Sequence, residues 1–260
     1  MNSTTEVNHE KLMELFGNVF NDVAGSMAIM MSYLGDQTGA YRAMDKLGPA
    51  SSEEIAKESN VDERYLLEWL SSNAGRGYVT YHEETDQFSL SPEQAAVFAR
   101  ETEPTCIQGL VQGVVGQFVK EDVAVEVFKT GRGRPWGEHH ECCFCGTERF
   151  FRPAYASHLL DEWIPAMEGV EDKLKKGAKV ADIGCGLGTS SMLMAEQYPN
   201  STIHAFDFHG PSIEEAKKRA AEKGLSNLEF FVSDAAAIPK ESYDLACIFD
   251  AWHDMGDPVG

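Results

Sequence analysis

Positive charge is what this sequence has least of. Its 260 residues hold 22 Lys and Arg against 42 Asp and Glu, a formal net charge of -20. The excess of acid runs through both halves. Such a field repels phosphates, whose neutralisation by Lys and Arg supplies most non-specific affinity for nucleic acid, so no nucleic-acid partner is expected and solubility is. Long apolar runs are also missing. No stretch approaches 18 consecutive apolar residues, and the opening MNSTTEVNHE lacks the basic flank and apolar centre of a signal peptide. These absences point away from a membrane and towards a cytoplasmic protein. Six cysteines without an export signal are expected to be reduced thiols. Three of them, Cys142, Cys143 and Cys145, crowd beside His139 and His140, but C-C-x-C is not the C-x-x-C of structural zinc sites and no second pair follows, so no metal is expected. Asn2-Ser3-Thr4 and Asn200-Ser201-Thr202 match the glycosylation pattern, which requires secretion and is discounted.

The length allows two domains. In the front half, apolar residues at helix spacing (Leu12, Leu15, Phe16, Val19, Phe20, Val23, Met27, Met30, Met31) predict a helix over residues 9–33, with the methionines as adaptable packing. A second helix is expected over 36–47, stopping at Gly48-Pro49. Ser51-Ser52-Glu53-Glu54 offers a cap for a short helix ended by Ser59-Asn60, Asp62 caps another, and YVTYHEETDQFSLSP reads as two short strands around a polar turn. Helix, turn, helix and hairpin make a winged helix. The charges oppose DNA binding: the second helix and hairpin carry six acidic residues against Arg64 and Arg76 alone, leaving a packing or dimerisation role. Residues 92–127 look helical, Gly131-Arg132-Gly133-Arg134-Pro135 opens a loop through Trp136 and the cysteines, and helix resumes over 147–176. The expected division is 1–100, a helical linker and lid over 101–176, and a third part from 177 to 260.

That third part alternates strand and helix. Strands are expected at 179–183, 202–208, 228–233 and 243–250, with helices at 189–198 and 211–223, which implies a doubly wound parallel sheet. Ligands of such sheets sit beyond the carboxyl ends of the strands. There, in VADIGCGLG, glycines stand at 184, 186 and 188. The dinucleotide fingerprint would need glycine where Thr189 stands, and a phosphate P-loop would need a Gly-Lys-Ser/Thr triplet that is absent.

VADIGCGLG resembles the first motif of the class I S-adenosylmethionine-dependent methyltransferases. The resemblance extends through LGDQTGAYRAM, ERYLLEWL, GYVTY, GTERFFRP and FDAWHDMGDP to a subgroup with an N-terminal winged helix and a cofactor domain related to quinone-biosynthesis methyltransferases. It implies a Rossmann-like fold, S-adenosyl-L-methionine as cofactor and methylation of a small-molecule acceptor. It also implies roles: Asp207 on the ribose hydroxyls with Phe208 beside it, Asp234 and Ala235 at the adenine, and Asp182 with the loop Gly184, Cys185, Gly186 and Gly188 along the methionine part, Asp182 near its ammonium. Asp250 joins this set at the end of the fourth strand. A carboxylate suits a neutral diol because it accepts two hydrogen bonds.

An oxygen or carbon acceptor needs a base, and His253 in DAWHD is the candidate; a histidine packed beside Trp252 is the plain alternative. Asp250 and Asp254 stand ready to orient it. Trp136, His139, His140 and Trp252 fit either a lid over the acceptor or solvated surface. A homodimer through the N-terminal domain is compatible with this reading. The class has seven strands, ordered 3-2-1-4-5-7-6, and the sequence supplies about four, so LACIF is an expected open edge and the domain reads as partial. A catalytically silent cofactor-binding or dimerisation protein is therefore the alternative function, and a winged-helix transcription factor a third.

Overall fold

The structure of the chain, a computed structural model, describes residues 7–238 and 243–257. The Asn2 glycosylation pattern and Pro258 of the last motif lie outside them. The chain divides into two compact units, one of residues up to Arg100 with Thr105–Val115, the other of Glu101–Pro104 with residues from Gly116 onward.

In the first unit, α1 (His9–Thr38) starts at Asn8, whose side chain accepts from the Lys11 N–H. It runs past the expected end at 33 and takes in Asp36, which was expected to open the next helix. The break falls instead at Gly39, which ends α1 in the left-handed conformation (φ 77°) and starts α2 (Ala40–Leu47). α3 (Ser52–Ser59) carries the expected capping box between Ser51 and Glu54 and ends at left-handed Asn60. α4 (Glu63–Gly75) is capped by Asp62. The strands β1 (Thr80–His82) and β2 (Gln87–Ser89) pair antiparallel as the wing. α5 (Pro92–Phe98) follows under a second capping box, Ser91 with Gln94. The core forms around buried Tyr41, whose ring meets Trp69 edge-on and stacks on Phe98, and whose hydroxyl donates to Asn73 Oδ1 at 2.9 Å. α1 is less buried than its periodicity predicts: Leu15, Phe16, Val19, Phe20, Val23 and Met27 are all exposed within this chain.

The single helix expected over 92–127 is three. α5 ends at Phe98, Glu101–Thr105 forms turns around Pro104, which has no N–H to give, and α6 (Gln108–Val119) and α7 (Glu121–Thr130) are parted at non-helical Lys120. The cysteines are not in a loop, as expected, but in α8 (Glu141–Ala154), with Cys142 and Cys143 buried and Cys145 exposed. The cap is an unusual one, since His140 Nδ1 accepts from the Cys142 N–H at 3.2 Å. Pro153 near the end of α8 does not stop the chain but leads into a wide π-helical stretch, Tyr155–Trp163, closed by Ile164 N–H to Leu159 O. The helix expected to continue to 176 is broken by turns before α9 (Val170–Lys176).

The second unit's sheet is parallel throughout. β3 (Lys179–Ile183), β4 (Thr202–Asp207), β5 (Leu228–Val232) and β6 (Leu245–Cys247) lie in the order β5-β4-β3-β6, with Asp182 opposite Ala205 on one side and Cys247 on the other. Among the described residues this is a Rossmann-like arrangement of four strands. α10 (Thr189–Gln197) and α11 (Gly210–Glu222) cross between strands, burying Met194, Ile213 and Ala220 in one core with Val180, Ile203 and Ala205. β6 is shorter than the expected 243–250, because the chain leaves the strand after Cys247 and turns through a left-handed Asp250 (φ 55°). Among the described residues no helix is long and apolar enough to cross a membrane.

Candidate functional site

The carboxyl ends of β3 and β4 lie side by side, and the glycine segment folds over them. Gly184 N–H and Cys185 N–H both donate to Phe206 O, at 2.8 and 3.0 Å, so β4 holds the turn that leaves β3. The glycines then differ in what surrounds them. A Cβ on Gly184 would run into the Ala251 side chain, and one on Gly188 would stand 2.7 Å from the Phe230 ring. Gly186, with φ 53°, borders open space, with nothing within 4 Å of where its Cβ would be. Two glycines are thus packing requirements, and the middle one leaves bare main chain facing a void.

Asp207 stands beside Gly186 at the end of β4. It is buried, its Oδ2 accepts from the Gly186 N–H at 2.8 Å, and its Oδ1 accepts from the His209 N–H at 2.8 Å. Each carboxylate oxygen has two acceptor positions, so one on each remains for a ligand. Phe208, next along, is exposed at 55 %. Asp234 ends the third strand's loop and caps the single turn Ala235–Ala237 by accepting from Ala236 N–H at 2.8 Å. Both Asp234 and Ala235 are exposed beside it.

Asp182 lies deeper. Its Oδ2 accepts from the Ser190 and Ser191 hydroxyls, at 2.7 and 2.6 Å in the first turn of α10, while its Oδ1 is buried without a partner among the described residues. Burial raises its pKa; the two hydroxyls oppose that shift and the Asp207 charge adds to it. Cys185 is buried in the same loop, its thiol held well above the usual range by burial and then by the charges of Asp182 and Asp207. Burial likewise pushes the Cys247 thiol on β6 up to about 12. Neither thiol is a nucleophile at neutral pH.

Past β6, Asp250, Trp252 and His253 stand on an exposed turn. His253 Nδ1 is 3.6 Å from Asp250 Oδ1 and its Nε2 is 3.4 Å from Asp254 Oδ1, with 65 % of the side chain exposed. Trp252 is also exposed. On the stretch before α8, the Trp136 ring contacts His139 and Phe144, and Phe144 packs on His209 with centroids 4.7 Å apart, so that this aromatic run ends two residues from Asp207. His140 is occupied as the α8 cap. Among the described residues no group of three His, Cys, Asp or Glu is placed to hold a metal ion.

Sequence reasoning missed five contributors. Ser190 and Ser191 are visible as a hydroxyl pair following the last glycine. His209 follows the strand-ending Asp207-Phe208. Ala251 and Phe144 carry no signal in the sequence, because their roles come from packing.

A parallel sheet whose first four strands lie in the order 3-2-1-4, with a glycine turn after the first and a carboxylate at the end of the second, is the arrangement of a Rossmann-like domain of the methyltransferase kind. Family models agree: residues 25–100 match the Rv2258c-like winged HTH domain and residues 174–260 the methyltransferase domain. The chain thus carries an N-terminal winged HTH domain and a methyltransferase domain.

Similar proteins include a tRNA (guanine-N(7)-)-methyltransferase of Hydrogenovibrio crunogenus, 33 % identical over 99 residues, which are 32 % of this chain and 41 % of that one. The aklanonic acid methyltransferase DauC of Streptomyces sp. is 40 % identical over 72 residues, 26 % of this chain and 33 % of that protein. The chain thus spans under half the length of the curated relatives it matches. Among solved structures, the mitomycin 7-O-methyltransferase MmcR is similar with a TM-score of 0.67 at 15 % identity, over 96 % of this chain and 75 % of that one. Human N-acetylserotonin methyltransferase in complex with SAM gives 0.64 at 14 %, over 99 % and 74 %. At that identity these two likenesses establish the fold.

Proposed function

We propose that the chain transfers a methyl group from S-adenosyl-L-methionine to a small-molecule acceptor. The observation that carries this is the Asp207 carboxylate, fixed by the Gly186 and His209 N–H groups with acceptor positions to spare, beside open main chain at Gly186. The residues fit the cofactor. Asp207 would take the ribose hydroxyls, Gly186 would let the ligand lie against main chain, and the unpartnered Asp182 Oδ1 awaits a donor at the methionine end. Asp234 and Ala235 would border the adenine, and Phe208 is exposed next to the sugar carboxylate. When bound, the cofactor supplies an electrophilic methyl group on a positively charged sulfur.

The chain's own task is to hold and align the partners, since in-line displacement depends on proximity more than on acid or base. His253 would take a proton from an oxygen acceptor; its exposed ring, with a carboxylate near each nitrogen, supports that role. Trp136, His139 and Trp252 would face the acceptor, while His140 serves by starting α8. The net charge of -20 favours a small molecule over a nucleic acid, even though several curated relatives are tRNA (guanine-N(7)-)-methyltransferases. Calorimetric titration with S-adenosylhomocysteine tests the reading: binding in the wild type and loss in Asp207→Ala support it, and binding that Asp207→Ala leaves unchanged refutes it.

The exposed face of α1 favours a second element of the reading. Phe16 and Phe20, their rings 6.1 Å apart, lie in a stripe with Leu12, Val19, Val23 and Met27. A contiguous apolar surface of that kind marks a protein contact, and a symmetric one between copies of the chain makes the N-terminal domain a dimerisation module.

A further inference from the structure

The segment Gly131–Pro135, expected only to break a helix, carries two arginines in opposite states. Arg132 is engaged on both sides: it reaches Glu126 through Nε at 3.1 Å and Nη2 at 3.3 Å, and Glu138 through Nη1 at 3.1 Å and Nη2 at 2.8 Å. Arg134 uses Nη1 alone, donating to Gln117 Oε1 at 3.2 Å. Its Nε and Nη2 are out of contact with solvent and have no hydrogen-bond partner among the described residues. A guanidinium cannot shed its charge, and buried donors left unpaired are costly. Glu138 acts on Arg134 electrostatically, but both Glu138 oxygens are already bonded to Arg132.

The unpaired atoms form a recognisable edge. Elsewhere in this chain, Arg100 grips Asp45 through the same two atoms, Nε at 3.0 Å and Nη2 at 2.7 Å. That fork matches a carboxylate in a bidentate way. The place is also informative. Gln117, which holds Arg134, meets His139 Nδ1 at 3.4 Å, and His139 starts the ring contacts that run through Trp136 and Phe144 to His209, next to Asp207. Asp254, beside His253, and Arg134 both act electrostatically on His139. In a protein of net charge -20, a carboxylate reaches this region only if a local cation receives it.

We propose that Arg134 recognises a carboxylate on the methyl acceptor, so that the substrate is a small organic acid with a ring or other flat portion for Trp136 and Phe144. This rests on the methyltransferase reading. The test uses 4-hydroxybenzoate and 4-hydroxybenzamide, equal in ring and hydroxyl and different in charge, titrated into the full chain with saturating S-adenosylhomocysteine. The wild type is expected to bind the acid at least about tenfold more tightly than the amide, the scale of a charge-assisted hydrogen bond. Arg134→Gln should lose that preference while its affinity for S-adenosylhomocysteine stays the same. Arg134→Lys, which keeps the charge and loses the fork, should retain a smaller preference and stands in if the Gln variant does not fold. Equal affinity for both probes in the wild type, including no detectable binding of either, overturns the proposal. So does a preference that survives in Arg134→Gln. A wild type that does not bind S-adenosylhomocysteine refutes the methyltransferase reading itself, whereas one that binds it and ignores the acid refutes only the role of Arg134.

Discussion

The glycine loop allows two alanine substitutions with opposite consequences. At Gly188 a new methyl group would stand 2.7 and 2.8 Å from Phe230 ring atoms and 3.2 Å from Ala216 Cβ, on a backbone at φ 77°. The left-handed conformation costs about 1–2 kcal/mol for an alanine and the overpacking about 1–3 kcal/mol more, roughly 2–5 kcal/mol together. At Gly186 the φ of 53° brings the first cost, and the empty space brings no second. Gly188→Ala should therefore lie about 1–3 kcal/mol below Gly186→Ala in stability, a separation of roughly 2–12 °C in Tm for a domain of this size. Cofactor binding should rank them the other way. The Gly186→Ala methyl points into the space where the ligand is to lie, so affinity for S-adenosylhomocysteine should fall at least about tenfold in a protein that remains folded, as one misplaced group costs at least about 1.4 kcal/mol. Differential scanning calorimetry and isothermal titration measure the two quantities. The reasoning fails if Gly186→Ala binds like the wild type, or if it melts as early as Gly188→Ala.

Other outcomes follow from the same geometry. Burial raises the Asp182 pKa, so the folded state holds this proton more firmly than the unfolded one, and the associated stability is present below the ordinary carboxylate range and lost as pH rises through the raised value. Asp182→Asn should thus melt higher than the wild type at pH 7 and match it near pH 4; a variant less stable at pH 7 by thermal melts would contradict this. With an oxygen acceptor in hand, His253→Ala should lower turnover by about 10²–10⁴ while leaving S-adenosylhomocysteine affinity unchanged, and unchanged turnover would remove His253 as the base. Replacing both Phe16 and Phe20 by Asp should convert a dimer to monomer in sedimentation velocity, and a wild type already monomeric at high concentration would leave α1 without the proposed role.

Much of this molecule was legible in its sequence because local rules and global fold agree there. Ser51 with Glu54, and Asp62, are caps that need no tertiary context, and each is found in place. The alternation of apolar pentads with helices made a parallel sheet readable, and the strand order came with the resemblance to the methyltransferase class. Tertiary effects decided the rest. Gly39 ends a helix inside a periodic pattern that continues across it, and Pro153 sits in α8 without stopping the chain because the following turns widen. The cysteines looked like loop residues because His140 is an uncommon cap. At the site, the fixed direction of Asp207 depends on the His209 N–H, and the unpaired edge of Arg134 is visible only once its neighbours' partners are known.

The central claim is that the Asp207 carboxylate receives the sugar hydroxyls of the cofactor. It is tested most directly by a double-mutant cycle in which S-adenosylhomocysteine and its 2′-deoxy counterpart are titrated into the wild type and Asp207→Ala. The account predicts that removing the hydroxyl weakens binding to the wild type by about tenfold or more and has little further effect in the variant, because one charge-assisted hydrogen bond is lost by either change. Equal losses in both proteins would place the sugar elsewhere and contradict the account.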